Sequence, residues 1–329
     1  MARYIVKRLL WMIPLIICVA ITIFTLMYFV PGDPAKIMAG TDASQADVEL
    51  VREELGLNDP YIVRLGHYLS DVFLHFDFGK SLINRSSIGD ALIERFPRSM
   101  TLALSSLLIT LLVGIPLGII AAVNPNTWKD RASMFFSLIA VSIPPFWFAL
   151  MLVVIFALNL NLLPSMWYGG ASGIKYWILP VVANSVIGVA MQARQTRSSM
   201  LEAMNADYIL TSRAKGLSER GIIFRHALPN ASIPIITESF FTVSASIAGS
   251  LIIENVFGIP GIGVYLVTAL NTRDFTVVQS TVIFVAIILS LLNLITDIGY
   301  AAVDPRIKAG FAETGKGKRK LKKERGVAL

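Results

Sequence analysis

The sequence has few charged residues for its length. Charged side chains make up 16% of its 329 residues, against roughly 25% in an ordinary soluble domain. Hydrophobic residues make up 55%, and the mean hydropathy is +0.66. The single cysteine, Cys18, excludes an internal disulfide and a cysteine metal cluster. The low charge and the long apolar runs together predict a polytopic membrane protein.

The sequence also lacks the patterns of common catalytic sites. Its three histidines form no metal-ligand spacing, and no G-x-S-x-G sequence supplies a serine nucleophile. Gly79-Lys80-Ser81 matches the end of a phosphate-binding loop, but the place of that motif's first glycine is taken by Leu74. We therefore expect no catalytic site, no metal site and no ATP site in this chain.

Six apolar segments are long enough to cross a hydrocarbon core as helices, which takes about 20 residues. The fourth is the shortest and contains Asn184 and Gln192, so we expect it to face protein or a water-filled path rather than lipid. The predicted spans are about Leu9–Val30, Thr101–Val123, Met134–Leu158, Tyr176–Ala193, Ile235–Val256 and Val277–Ala301.

The basic residues predict how these spans are oriented. Six lie between spans four and five and nine follow span six, which places both termini in the cytoplasm by the positive-inside rule. Residues 304–329 then form a basic, solvated cytoplasmic tail with some attraction to anionic lipid and no nucleic-acid-binding role. We divide the chain into the N-terminus with the first span (1–30), a structured outer loop (31–100), a five-helix core (101–303) and this tail.

The outer loop is predicted to form a small helical cap. Residues from Leu50 onwards fit a short helix that stops at Gly56, and Tyr61–Phe73 has the spacing of an amphipathic helix. Packing against the spans and contact with a delivery protein are both open as the purpose of this cap.

The loop at residues 194–232, between spans four and five, contains a basic segment punctuated by glycine. Asp207 is predicted to cap a helix over Tyr208–Lys215, and Gly216 to end that helix in a left-handed conformation. Ser218 is predicted to cap a second helix, which Pro229 ends.

The two sides of this helix pair differ in character. One side has the apolar residues and the other has the basic residues, so the pair fits a groove of a soluble partner or lies on lipid headgroups. The pattern alone leaves both possibilities open. The apolar side is predicted to hold Tyr208, Ile209, Ala214 and Leu217, and the other side Arg213, Lys215 and Arg220.

Within the spans, the acidic residues lie near the ends rather than at the middle. Glu254 is the best candidate to line a substrate path, while helix-end hydrogen bonding is the alternative. Ser244, Ser246 and Ser250 either line that path or permit close packing. A secondary carrier would need ionisable groups near the membrane midplane or an internal repeat, and neither is visible.

Several motifs spread over residues 4–306 resemble the first permease subunit of the dipeptide, oligopeptide and nickel ABC importers. Where the general EAA motif of such permeases begins Glu-Ala-Ala, this chain has Leu210-Thr211-Ser212, so the contacts of those three residues do not carry over. The matching motifs are Tyr4-Ile-Val-Lys-Arg-Leu-Leu, Pro31-Gly32-Asp33-Pro34, Phe78-Gly79-Lys80-Ser81, Gly114-Ile-Pro-Leu-Gly118, Ser142-Ile-Pro-Pro-Phe-Trp147, Thr196-Arg-Ser-Ser-Met-Leu-Glu202, Arg213-Ala-Lys-Gly216, Gly258-Ile-Pro-Gly-Ile-Gly263 and Asp304-Pro-Arg306.

The resemblance implies an all-α permease with six transmembrane helices, of the type I importer kind, in a bacterial or archaeal inner membrane. Its implied partners are a second related permease, two ATPase subunits that bind ATP and Mg²⁺, and an extracytoplasmic substrate-binding protein. It makes peptides the expected cargo, with nickel, metal chelates, glutathione or sugars as alternatives. It identifies as the ATPase-coupling residues Asp207, Tyr208, Arg213, Ala214, Lys215, Gly216 and Leu217.

Overall fold

A computed structural model describes residues 2–40, 42–168 and 173–303, so the basic tail lies outside the described residues. The described part is helical, without strands, and one isolated β-bridge joins Lys80 to Ser87. Its helices are α1 Ala2–Phe29, α2 Pro34–Ala39, α3 Gln45–Glu54, α4 Tyr61–Leu74, α5 Ile88–Val123, α6 Trp128–Ser142, α7 Pro145–Leu152, α8 Lys175–Met204, α9 Asp207–Ala214, α10 Glu219–Gly221, α11 Leu228–Phe257, α12 Ile262–Thr272 and α13 Phe275–Val303.

Five of the six predicted spans are continuous helices that are long and apolar enough to cross a membrane. They are α1, α5, α8, the helix that ends in α11, and α13. Two π-helical stretches extend the α-helices: Val153–Asn159 continues α7, and Ile222–Ala227 joins α10 to α11. Glu219–Phe257 is therefore one helix of 39 residues.

The third predicted span, 134–158, is not one continuous helix. The chain bends by 104° between α6 and α7, and the two halves make one crossing only if they are counted together. Ile143 has an extended backbone, and Pro144 and Pro145 follow it. A proline has no backbone N–H to donate, and it disfavours the helical conformation of the residue before it. The tandem prolines therefore account for the bend.

The core of the bundle is built on a close approach between α5 and α8. A Cβ atom on Gly114 would lie 2.8 Å from the Cβ of Gln192, and one on Gly118 would lie 2.5 Å from the carbonyl oxygen of Ala193. Larger side chains at these two positions would push the helices apart. The small-residue spacing in the second span is thus a packing feature.

The polar residues of α8 face protein, as predicted. Gln192 is fully buried and donates from Nε2 to the carbonyl oxygen of Ile235 at 3.1 Å. Asn184 donates to the hydroxyl of Ser106 at 3.1 Å and to the carbonyl oxygen of Ser246 at 3.2 Å. These bonds tie α8 to α5 and α11, and they satisfy amide groups that would be costly to expose to lipid.

The cap, made of α2, α3 and α4, is folded as predicted, although α3 begins earlier, at Gln45. Ser44 and Asp47 form a reciprocal capping box at its start, and Gly56, with a φ of +59°, follows its end. Tyr68 of α4 stacks on Phe24 of α1 with ring centroids 5.1 Å apart. The cap therefore packs on the end of α1 rather than acting as a flexible linker.

The loop after the cap is fastened to the start of α13. The Ser81 hydroxyl donates to the buried carboxylate of Asp274 at 2.6 Å, and the Leu82 N–H donates to the same carboxylate at 3.2 Å. The Ser280 hydroxyl donates to the Phe78 carbonyl oxygen at 2.6 Å. The cap, the α12–α13 connection and the start of α13 thus lie at the same end of the bundle.

Candidate functional site

The docking segment, which we define as residues 205–221, is held against the bundle by Ile209. This side chain is fully buried and belongs to an apolar cluster with Met200 of α8 and with Ile222 and Ile223 of the following π-helical turn. The prediction that Ile209 lies on the binding side is therefore wrong. The residue packs inward because α9 must bury one face to stay on the bundle.

Gly216 ends α9 in the predicted left-handed conformation, with a φ of +77°. The Gly216 N–H donates to the Arg213 carbonyl oxygen at 2.9 Å, and the Leu217 N–H donates to the Ser212 carbonyl oxygen at 3.4 Å. This pair of bonds is a Schellman motif, which satisfies carbonyl groups at a helix end. A Cβ atom on Gly216 would meet nothing within 4 Å, so the need for glycine comes from the backbone angle and not from crowding.

The turn at Gly216 is closed by polar contacts on both sides. The Arg213 guanidinium donates from Nε to Glu219 at 2.9 Å and from Nη2 to the other carboxylate oxygen at 3.4 Å. The Ser218 hydroxyl accepts the Gly221 N–H at 3.3 Å, so it caps α10 as predicted. These contacts set the angle between the two helices of the docking segment.

Two local predictions about this segment are wrong. Asp207 is the first residue of α9 and makes no cap bond; the cap position is Ala206. Pro229 does not end the second helix, because the chain runs on through it into α11. The π-helical turn before Pro229 widens the backbone, and this makes room for the proline ring that would otherwise clash with a preceding carbonyl.

The outward surface of the docking segment combines apolar and basic side chains. Tyr208, Leu210 and Leu217 are 40%, 62% and 44% exposed, and Phe224 in the next turn is 57% exposed. All seven residues that the sequence identifies as coupling residues are exposed: Asp207, Tyr208, Arg213, Ala214, Lys215, Gly216 and Leu217. Such a surface fits an apolar groove with an acidic rim.

An ion pair between buried Asp130 and half-buried Arg197, which the sequence did not predict, supports this end of the bundle. Asp130 of α6 is 3% exposed, and its Oδ2 accepts from Nη2 of Arg197 in α8 at 2.8 Å. The same oxygen accepts the Asn126 N–H at 2.9 Å. Because Arg197 lies two turns before the docking segment, this pair fixes the helix from which the segment emerges.

The residues predicted to line a path do not share an open surface. Ser246, Ser250 and Glu254 are buried inside the subunit, and the Ser250 hydroxyl donates to its own helix at the Ile247 carbonyl oxygen. Ser244 donates to Asn293 of α13 at 2.9 Å. The geometry favours the packing alternative for the serines and the helix-end alternative for Glu254, which accepts the Gly263 N–H at 2.7 Å.

Comparison with known proteins agrees with this geometry. Two family models match the chain: one described as the N-terminal part of a binding-protein-dependent transport system membrane component, over residues 1–104, and one described as the inner membrane component of such systems, over residues 114–309. The chain therefore belongs to the family of binding-protein-dependent transport system inner membrane components, and it is a transport permease.

Relatives in this family are similar over almost their whole length. A putative peptide transport system permease of Brucella abortus (strain 2308) is 40% identical over 313 residues, covering 94% of this chain and 99% of that protein. The glutathione transport system permease GsiC of Escherichia coli (strain K12) is 36% identical over 308 residues, with the same coverage of 94% and 99%.

A solved structure shares the fold. An inward-facing form of the MetNI methionine ABC transporter contains a chain that matches with a TM-score of 0.53 and 18% identity, covering 65% of this chain and 96% of that one. At this identity the match speaks for the fold alone. The chain is thus an all-α permease with the architecture of an ABC importer membrane subunit.

Proposed function

We propose that this chain forms half of the translocation path of an ATP-driven importer, and that its cargo is a di- or oligopeptide. The family membership supports the importer class. The names of the relatives support the cargo class, since one is a peptide permease and another transports glutathione, which is itself a tripeptide. Nickel or a metal chelate is the alternative cargo.

The observation that carries the proposal is the docking segment. Its backbone is fixed by the buried Ile209, the Gly216 turn and the Arg213–Glu219 pair, while its outward side chains have no apolar cover among the residues that the structure describes. A segment with a fixed backbone and an apolar outer surface is suited to bind a partner and to transmit its movement. We assign that partner as an ATPase subunit.

The assembly that fits this role has four membrane-associated subunits: this chain, a second related permease and two ATPase subunits. The second permease completes the path, and one ATPase subunit binds beneath each permease. ATP and Mg²⁺ bind to the ATPase subunits, which supply the energy of transport. A substrate-binding protein delivers cargo at the opposite face, where the cap provides an ordered surface.

The expected location is the inner membrane of a bacterium or archaeon, with both termini in the cytoplasm. The excess of basic residues around the docking segment supports a cytoplasmic position for that segment. The cap, at the other end of the bundle, then faces outward. This orientation brings the docking segment to the compartment that contains ATP.

Assembly and uptake test the proposal together. We expect the purified pair of permeases to capture the ATPase subunits, and a Leu217→Asp variant to lose them, because a charge would be buried in an apolar groove. Asn58→Asp, which changes an exposed residue of the cap, is the matched control.

In proteoliposomes, labelled dipeptide should accumulate with ATP. Unlabelled glutathione or a nickel chelate should compete with the dipeptide only if it is a cargo.

Capture of the ATPase subunits by Leu217→Asp at the wild-type level would contradict the docking role. Uptake of a nickel chelate with no uptake of peptide would replace the proposed cargo by the alternative.

A further inference from the structure

Glu254 fastens one end of the long helix Glu219–Phe257 to the start of α12. Its side chain is fully buried, and its Oε2 accepts the Gly263 N–H at 2.7 Å. The Ser99 hydroxyl of α5 accepts the neighbouring Ile262 N–H at 2.9 Å. The first N–H groups of a helix have no partner within the helix, and these two side chains satisfy two of them.

The turn between the two helices is closely packed. A Cβ atom on Gly261 would clash with Oε2 of Glu254, and one on Gly263 would lie 2.5 Å from the Leu251 carbonyl oxygen. Gly258 leaves the helix in a left-handed conformation, with a φ of +63°. The backbone of α12 is therefore seated directly on the side of α11.

A second contact from α5 holds the same turn, since Nη1 of Arg98 donates to the Pro260 carbonyl oxygen at 3.2 Å. At its C-terminal end, α12 leads into Asp274, which accepts the hydrogen bonds from Ser81 and Leu82 in the loop beside the cap. The turn thus joins the long helix to the cap end of the bundle.

The other end of the same helix begins at the docking segment. Ser218 caps it directly after the Gly216 turn, and the helix then runs for 39 residues to Phe257. At 1.5 Å per residue this is a rod of about 58 Å. A displacement of the docking segment therefore has a continuous helical connection to the turn that Glu254 holds.

We propose that Glu254 is a positioning residue that locks α12 to this rod, so that α12 moves with the docking segment and acts as the gate at the cap end. The inference rests on the proposed function, because it takes the ATPase subunits as the source of the displacement. Without the carboxylate, the rod would move while α12 stayed with α5 and the cap.

The test measures the position of α12 in the assembled complex of both permeases and the ATPase subunits. Spin labels are attached at Asn271 of α12 and Asn58 of the cap, both exposed, after replacement of Cys18. In the wild type we expect the distance between the labels to change when a non-hydrolysable ATP analogue is added. Glu254→Ala should abolish that change and lower cargo uptake by about tenfold or more, the range for a lost hydrogen bond to a charged group.

Matched variants separate positioning from general stability. Ile253→Val removes a methyl group from the adjacent buried position and keeps the carboxylate, so it should lower thermal stability but retain the distance change. Glu254→Gln retains an oxygen that can accept from Gly263 and should keep part of the change. If Glu254→Ala does not assemble, Glu254→Gln should still show a smaller change than the wild type, whereas Ser99→Ala, which loosens α12 from α5, should retain the change.

A Glu254→Ala complex with the full wild-type distance change would overturn the inference, as would the full change in Glu254→Gln where Glu254→Ala fails to assemble. These results differ from a failure of the proposed function. In that case the wild type itself would show neither a response to the ATP analogue nor ATP-dependent uptake.

Discussion

Arg213 and Glu219 form a two-point ion pair across Gly216, with nitrogen–oxygen distances of 2.9 and 3.4 Å. The pair joins the last turn of α9 to the first residue of α10. Both side chains are well exposed, at 41% and 61%, so the pair adds at most about 1 kcal/mol to stability. Its value lies in fixing the docking segment, and it leaves Arg213 positioned at the edge of the apolar surface.

Charge reversal at this pair separates the two roles of Arg213. We expect Arg213→Glu to reduce cargo-stimulated ATP hydrolysis, because a basic residue is lost from the docking surface. The double variant Arg213→Glu with Glu219→Arg restores an ion pair within the turn but not the charge at position 213. Hydrolysis should therefore stay low in the double variant, and full recovery would mean that the pair matters only inside the segment.

Gly216→Val should impair transport while leaving membrane insertion intact. A side chain at a φ of +77° costs about 1–2 kcal/mol, and more for a β-branched residue. Gly216→Asn is the control, because asparagine tolerates this conformation and no neighbour crowds the position. Uptake and ATPase rates of both variants check this. An equal loss of uptake in Gly216→Val and Gly216→Asn would mean that any side chain at this position interferes with coupling, and that the backbone angle is not the cause.

Loss of the Asp130–Arg197 pair should destabilise the subunit. Asp130→Asn leaves the Arg197 guanidinium without its carboxylate partner, at a cost of about 1.5–3 kcal/mol. Arg131→Gln, at the exposed neighbouring position, should change stability by less than about 0.5 kcal/mol. Thermal unfolding of the detergent-solubilised protein measures both. Equal melting temperatures of Asp130→Asn and Arg131→Gln would show that the Asp130–Arg197 pair does not stabilise the subunit.

The orientation of the bundle can be read by chemical labelling. After Cys18 is replaced, a cysteine at Asn58 in the cap should react with an impermeant thiol reagent added to intact cells. A cysteine at Lys129, between α5 and α6, should react only after the membrane is permeabilised. Both positions are exposed, so burial does not confound the comparison. The opposite labelling pattern would reverse the predicted topology.

Hydropathy and turn chemistry predicted the parts of this fold that depend on neighbouring residues. Five spans, the cap helices, the left-handed Gly216 and the Ser218 cap follow from local sequence. Pro144 and Pro145 are a local signal for the bend in the third span, and a prediction from the length of the apolar run does not use it. Ile209 was assigned to the wrong side because its burial depends on α8 and on the π-helical turn.

The remaining features depend on residues far apart in the chain. Asp130 and Arg197 are separated by 67 positions, and no sequence pattern relates them. For Glu254, an acid near the end of a span, the sequence leaves a place on a path and helix-end hydrogen bonding both open. Its actual partners are the backbone of a glycine-rich turn and the adjoining helix α12, and only the folded chain brings them together.

The energy source is the most direct test of the account. Complete complexes in proteoliposomes, supplied with binding protein, cargo and internal ATP, are assayed with and without a protonophore. We expect uptake to require ATP and to continue when the proton gradient is collapsed, both in the wild type and in Asp297→Asn. Asp297 is an acidic residue of α13 that pairs with Arg8 at 3.0 Å, so a proton-driven carrier could use it as a coupling group. If uptake by the wild type stops when the gradient is collapsed while ATP remains, the chain is an ion-driven carrier and the docking segment does not couple it to an ATPase.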